Sequence, residues 1–199
     1  MADNKSGRED QAQNADRRQR ERAIAEELER RDEPEPPVDP SQLAYFETEL
    51  DAVEFPASAD DVVATLGDRE IEASDGTYAV EELLPATDVE TFDSPAEVRE
   101  RIERPTVAAT MKHIVEASET LPRETLDSSQ WDAYQKTLRE LAAIDADDDD
   151  EGVRVIGDWI VDQIDEKGKL PGSRAVRREA AKFCRSEGYE IRNDEWLGV

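Results

Sequence analysis

The chain is expected to be an α+β protein, mostly helical, with a small helix and β-hairpin module followed by helices and a C-terminal helix-turn-helix-like unit. Three observations predict it. Between residues 55 and 102, N-cap and turn signals follow one another too closely for long elements. Beyond residue 104, apolar residues recur at intervals of three and four, the period of a helix. Within 153–199, two such stretches flank a turn containing Gly168, Pro171 and Gly172.

Taken in order, residues 1–40 carry eight basic and twelve acidic side chains. A helix over 16–31 would have only Ile24 and Leu28 as strong apolar residues, too little to be stable alone, so a solvated tail is expected. The run at 33–40 contains Pro34, Pro36, Pro37 and Pro40 among acids and reads as an extended, semi-rigid linker. Leu43, Tyr45, Phe46, Leu50 and Val53 then form an apolar lead-in that can pack on the residues from 55 to 102.

The module at 41–103 has its signals after Phe55-Pro56, an apolar anchor on an extended dipeptide. Ser58, with Asp61 three residues on, caps a short helix through Val62, Val63 and Leu66 that Gly67 closes. The segment 69–73 alternates, Asp75-Gly76 suits a tight turn, and 77–80 returns beside it as a hairpin. Ser94 as N-cap, Pro95 at the first helical position and Glu97 at the third open a helix through Val98 and Ile102.

The residues Phe55-Pro56-Ala57, the run from Leu66 to Glu72, Asp75-Gly76-Thr77, Val80-Glu81 and the run from Thr91 to Arg99 resemble a domain family of halophilic archaea with no assigned function. The resemblance covers 55–102, about a quarter of the chain. It implies a small mixed helix and strand domain and a halophilic origin, and it brings no catalytic residues.

Arg104-Pro105 interrupts the preceding helix, and Val107, Met111, Ile114 and Val115 mark another face that ends by Pro122. Asp127, Ser128 and Ser129 cap a helix on which Trp131, Tyr134, Leu138 and Leu141 form a buried stripe; the aromatic pair reads as core. Together these make a helical segment at 104–144. The acidic run at 145–152 reads as a hydrated linker. Asp147, Asp149, Glu151, Gly152 and Asp158 fall at the first, third, fifth, sixth and twelfth places of a calcium loop. Arg154 stands where that loop wants an apolar residue and Asp158 is shorter than the usual glutamate, so no metal site is expected.

With 51 acidic and 25 basic residues the formal charge is −26. In molar salt the screening length falls to about 3 Å, which removes most repulsion between exposed carboxylates, so the composition fits a salt-rich cytoplasm. No apolar run reaches membrane-spanning length, residues 1–13 lack the apolar core of a secretory signal, and the one cysteine, Cys184, cannot form an internal disulfide.

The charge is uneven. From Val153 onward there are nine basic and nine acidic residues, and between 167 and 185 seven cations, Lys167, Lys169, Arg174, Arg177, Arg178, Lys182 and Arg185, meet only Glu179. Ile156, Trp159, Ile160 and Ile164 give a first helix, and Ser173 caps a second that Gly188 ends. On the second, Val176, Ala180, Phe183 and Cys184 share one side and Arg174, Arg178, Lys182 and Arg185 the other. The segment 189–192 can form a terminal strand, with Trp196 and Leu197 closing over the helix pair.

This basic face is the candidate nucleic-acid site, DNA or RNA. It suits equally an acidic protein partner or the acidic middle of the chain itself. Chemistry is otherwise sparse. His113 beside Ile114 and Val115 reads as a structural histidine, Cys184 lies on an apolar face, and no phosphate loop or nucleophile elbow is present. The expectation is a non-enzymatic cytoplasmic binding or adaptor protein of a halophile, without cofactor, catalytic residue or membrane, whose partner is a protein; the alternative is a nucleic-acid binder using residues 167–185.

Overall fold

The computed structural model describes residues 37–122, 126–144 and 149–189. The expected tail and its 16–31 helix, residues 145–148, the strand residues 190–192, and Trp196 and Leu197 lie outside them.

The order of elements is α1 (Pro40–Glu49), a 3-10 turn (Leu50–Ala52), β1 (Ala57–Ser58), α2 (Ala59–Leu66), β2 (Glu70–Ala73), β3 (Gly76–Ala79), the single turn α3 (Val80–Leu83), β4 (Thr91–Phe92), α4 (Pro95–Ile102), α5 (Pro105–Glu119), α6 (Ser128–Ala142), α7 (Glu151–Lys167) and α8 (Ser173–Glu187). The architecture is therefore mostly helical α+β. Its strands form two small antiparallel ladders, β1 with β4 and β2 with β3.

The first module is closed by local chemistry. Ser58 and Asp61 form a reciprocal capping box: the Asp61 N–H donates to Ser58 Oγ at 3.1 Å and the Ser58 N–H to Asp61 Oδ2 at 2.9 Å. Gly67 ends α2 while still in the right-handed helical region. The hairpin pairs Ala73 with Gly76, so its turn is Ser74-Asp75, one residue earlier than the Asp75-Gly76 turn expected. Neighbours decide this. The Ser74 N–H donates to Pro37 O at 2.9 Å, and the Asp75 carboxylate accepts from the Tyr78 hydroxyl at 2.6 Å.

Val38, placed by the sequence in the linker, is fully buried and bridges to Ala73. At α4, Ser94 is the N-cap residue but its hydroxyl makes no capping bond; Glu97 instead accepts from the Asp93 N–H at 2.9 Å. The bond Phe55–Pro56 is cis.

Buried apolar side chains fall into two clusters. The first gathers Phe46, Leu50, Val62, Ile71, Leu83, Phe92, Val98 and Ile102 and takes in Ala108 of α5. The second gathers Met111, Ile114 and Val115 of α5, Tyr134, Leu138 and Leu141 of α6, Ile156, Ile160 and Ile164 of α7, and Val176, Ala180 and Cys184 of α8. Helix α5 is thus a wall of both, and 104–144 shares one core with 153–189. Each fully buried leucine, isoleucine or phenylalanine contributes about 1.5–3 kcal/mol relative to exposure, so these clusters outweigh the caps.

One ion pair lies in the interior near α5. Arg101 Nε donates to Glu90 Oε1 at 2.7 Å, with the two side chains only 4% and 9% exposed. Its guanidinium also donates to the Ala108 carbonyl at 3.3 Å and lies over the Trp131 ring, 5.3 Å from the centroid. Glu90 Oε2 and Arg101 Nη1 find no hydrogen-bond partner among the described residues. By contrast Arg99–Glu47, at 3.0 Å with side chains 45% and 35% exposed, is screened and contributes well under about 1 kcal/mol.

These contacts set expected outcomes. Arg101→Met leaves Glu90 buried and uncompensated and lowers unfolding free energy by about 3–5 kcal/mol, whereas adding Glu90→Leu restores most of the loss, read by urea unfolding. Ser58→Ala costs about 1 kcal/mol. The Asp61 carboxyl is held below the usual carboxylate range by the Ser58 N–H and then by its hydroxyl. Its stabilisation is therefore full above the ordinary carboxylate pKa and lost as pH falls through the lowered value, and Asp61→Asn should flatten the acid limb of stability against pH.

Candidate functional site

The basic face begins with how α8 is held. Gly168 takes the left-handed conformation at φ 60° to end α7, its N–H donating to Ile164 O at 2.8 Å. Leu170 is then buried, and the Pro171 carbonyl accepts from Gln130 Nε2 at 3.0 Å and from the Tyr134 hydroxyl, so the turn is fastened to α6. Gly172, not Ser173, is the N-cap residue of α8, and Ser173 is its first helical residue without a capping bond. Gly188 ends the helix at φ 76°.

Val176, Ala180, Ala181 and Cys184 are buried, and Phe183 is half-buried against Tyr189, ring centroids 5.9 Å apart. On the opposite face Arg174, Arg178, Lys182 and Arg185 are exposed. Lys182 pairs with Glu179 at 2.7 Å yet stays 71% exposed. Among the described residues no carboxylate forms an ion pair with Arg174, Arg178 or Arg185. Arg177 is half-buried, its Nε 3.4 Å from Ser173 O. Lys167 is exposed in the last turn of α7 and bonds Gln163, and Lys169 is exposed in the turn. At 1.5 Å per residue the stripe from Arg174 to Arg185 runs about 16 Å.

A second feature was not read from the sequence. A cleft of about 280 Å³ is lined by Tyr78 from β3, by Thr106, Ala109, Thr110 and His113 from α5, and by Arg154, Gly157, Asp158 and Val161 from α7. Gly157 sits where α7 approaches α5: a Cβ there would lie 2.2 Å from the Thr110 methyl carbon. Burial, and next the hydrogen bond to Asp75, raise the Tyr78 phenol above its ordinary pKa. Thr106 Oγ1 stands 3.3 Å from the same carboxylate. Arg154 donates to the Asp149 carbonyl.

One expectation changes here. His113 is not a core histidine: it is exposed at the cleft, because one step of 100° turns it away from buried Ile114. Glu151, Gly152 and Asp158 all lie in α7, so these calcium-loop positions are helical rather than a loop wrapped round an ion. Among the described residues no group of three His, Cys, Asp or Glu could hold a metal ion, and no helix is long and apolar enough to cross a membrane. A glycine in the middle of the apolar period of α7 was the available signal for the cleft, since such a glycine marks close backbone approach.

Residues 40–112 match a family of unknown function, DUF5789. The residues from 55 to 102 that resembled a family without assigned function lie within that match. No curated protein and no solved structure matches the chain. The DUF5789 segment supplies Tyr78, Thr106, Ala109 and Thr110 of the cleft, while Arg154, Asp158 and the basic stripe lie outside it.

Gly157→Ala should gain helix propensity but collide with Thr110, and Thr110→Ala should remove the collision. A double-mutant cycle read by urea unfolding is expected to give a coupling of about 1–3 kcal/mol between the two sites, against near zero if the helices do not meet there.

Proposed function

We propose that the protein is a non-enzymatic binding protein that grips nucleic acid with the exposed face of α8. The observation that supports this reading is the outward stripe of Arg174, Arg178, Lys182 and Arg185, whose arginines have no ion-pair partner among the described carboxylates of a chain with net charge −26. A clamp on the chain's own acidic middle would bring carboxylates within ion-pair distance. Of the described ones, Glu179 does so, one helical turn from Lys182.

A helix lying in a major groove about 12 Å wide presents one face to phosphates and base edges, and the α7, turn, α8 arrangement offers such a face. The apolar underside holds α8 rigidly, so its cations can be aimed. We further propose a salt-rich cytoplasm as the setting, a reading supported by the net charge. There the counterion-release contribution is small, and direct base contacts carry more of the affinity.

The test is fluorescence anisotropy of labelled duplex DNA and of RNA across a potassium chloride series. Wild type is expected to bind, and Arg174→Glu with Arg178→Glu to abolish binding with the circular dichroism spectrum unchanged. The milder Arg174→Gln with Arg178→Gln should reduce the log–log salt slope by about 2. Absence of wild-type binding, or unchanged binding by the reversed variant, overturns the proposal. Capture of an acidic protein instead of nucleic acid returns the broader adaptor reading.

A further inference from the structure

The cleft between β3, α5 and α7 presents charges of both signs. Arg154 and Asp158 stand four residues apart on α7, about 6 Å along the axis, and both line it. Such a spacing ordinarily closes an ion pair across one helical turn. Here it does not: among the described ion pairs neither residue appears, and the Arg154 guanidinium turns to the Asp149 carbonyl. A guanidinium with donors to spare and a carboxylate therefore open side by side into one concavity.

The other walls carry no further carboxylate, lysine or arginine. Ala109, Gly157 and Val161 give a surface without hydrogen-bonding side chains, and the Tyr78 ring forms a side. The Tyr78 hydroxyl is committed to Asp75, so that phenol presents carbon more than a donor. Thr110 and His113 add hydrogen-bonding groups from α5.

These features select by charge. A simple anion drawn to Arg154 meets Asp158, and a simple cation drawn to Asp158 meets Arg154. A molecule carrying both charges meets a complement at each. At about 280 Å³ the space lies at the small end of ligand pockets, which suits a short aliphatic skeleton. We propose that this cleft binds a small zwitterionic amino acid, its carboxylate on Arg154, its ammonium on Asp158 and its carbon chain against Tyr78 and Val161.

The experiment is a thermal-unfolding series on the full chain at fixed salt. Millimolar alanine, valine and γ-aminobutyrate are compared with propionate and propylammonium, which carry one charge each. At least one amino acid is expected to raise Tm in a saturating manner while the singly charged compounds do not. Asp158→Asn and Arg154→Gln, both exposed positions, should each weaken the apparent affinity by about tenfold or more with Tm in the absence of ligand close to wild type. The proposal is overturned if no amino acid shifts Tm, if propionate or propylammonium shifts it equally, or if the shift persists unchanged in both variants. Nucleic-acid binding by α8 is read in a separate assay, so failure of either proposal leaves the other standing.

Discussion

Helix α5 is buried on two sides, and the rest of the structure is arranged about that constraint. Ala108 faces the module of α1 to α4, while Val107, Met111, Ile114 and Val115 lie in the cluster that α5 shares with α6 and α7. A helix with two apolar sides has little surface left for charge, and its N-terminal turn buries Pro105 and Thr106 as well. The Arg101–Glu90 pair reaches that same region, joining α4 to the loop before β4 and to the Ala108 carbonyl. Removing two charges from water costs several kcal/mol per ion, so the pair persists only because geometry, the carbonyl and the Trp131 face offset that cost together. Glu90 is held by its backbone too, since its carbonyl accepts from the Ala59 N–H at 2.9 Å, at the start of α2.

Charge on the surface obeys a different balance. Exposed carboxylates repel one another in dilute buffer and are screened in concentrated salt, so the acidic shell weakens the fold in one solvent and is tolerated in the other. The basic stripe of α8 interrupts that shell. It is seated on Val176, Ala180 and Cys184 beneath it and on the turn whose Pro171 carbonyl is fastened to α6, none of which depends on ionic strength in the way an exposed ion pair does.

Elements with a strong apolar period were legible in the sequence. The stripes of α5, α6 and α7, and the apolar side of α8, are buried where the three- and four-residue spacing put them, except that Trp131, Trp159 and Phe183 are only half-buried. Caps were legible where the chemistry is purely local: Ser58 with Asp61, and Asp127 accepting from the Gln130 N–H at 2.8 Å. Ser94 holds the N-cap position with Pro95 after it, as read, but its hydroxyl makes no capping bond, and at α8 the cap falls on Gly172 instead of Ser173. The hairpin slipped by one residue because Asp75 is bonded to Tyr78, and Ser74 to the distant Pro37. The aromatic pair of α6 also divides, with Tyr134 wholly buried and Trp131 half-buried under Arg101. Apart from the mid-helix Gly157, nothing local announced the cleft, because Tyr78, His113 and Arg154 converge from segments that share no local pattern.

The end of the DUF5789 match at residue 112 falls midway along α5, which runs from Pro105 to Glu119. A fragment cut at that border would keep the helix face that seals the first cluster and forfeit Ile114 and Val115 along with every helix that covers Met111. Thr87 would lose Glu119, its partner at the far end of the same helix. The border of sequence similarity is therefore no seam in the molecule, and a piece meant to stand alone would have to carry its neighbour's wall with it.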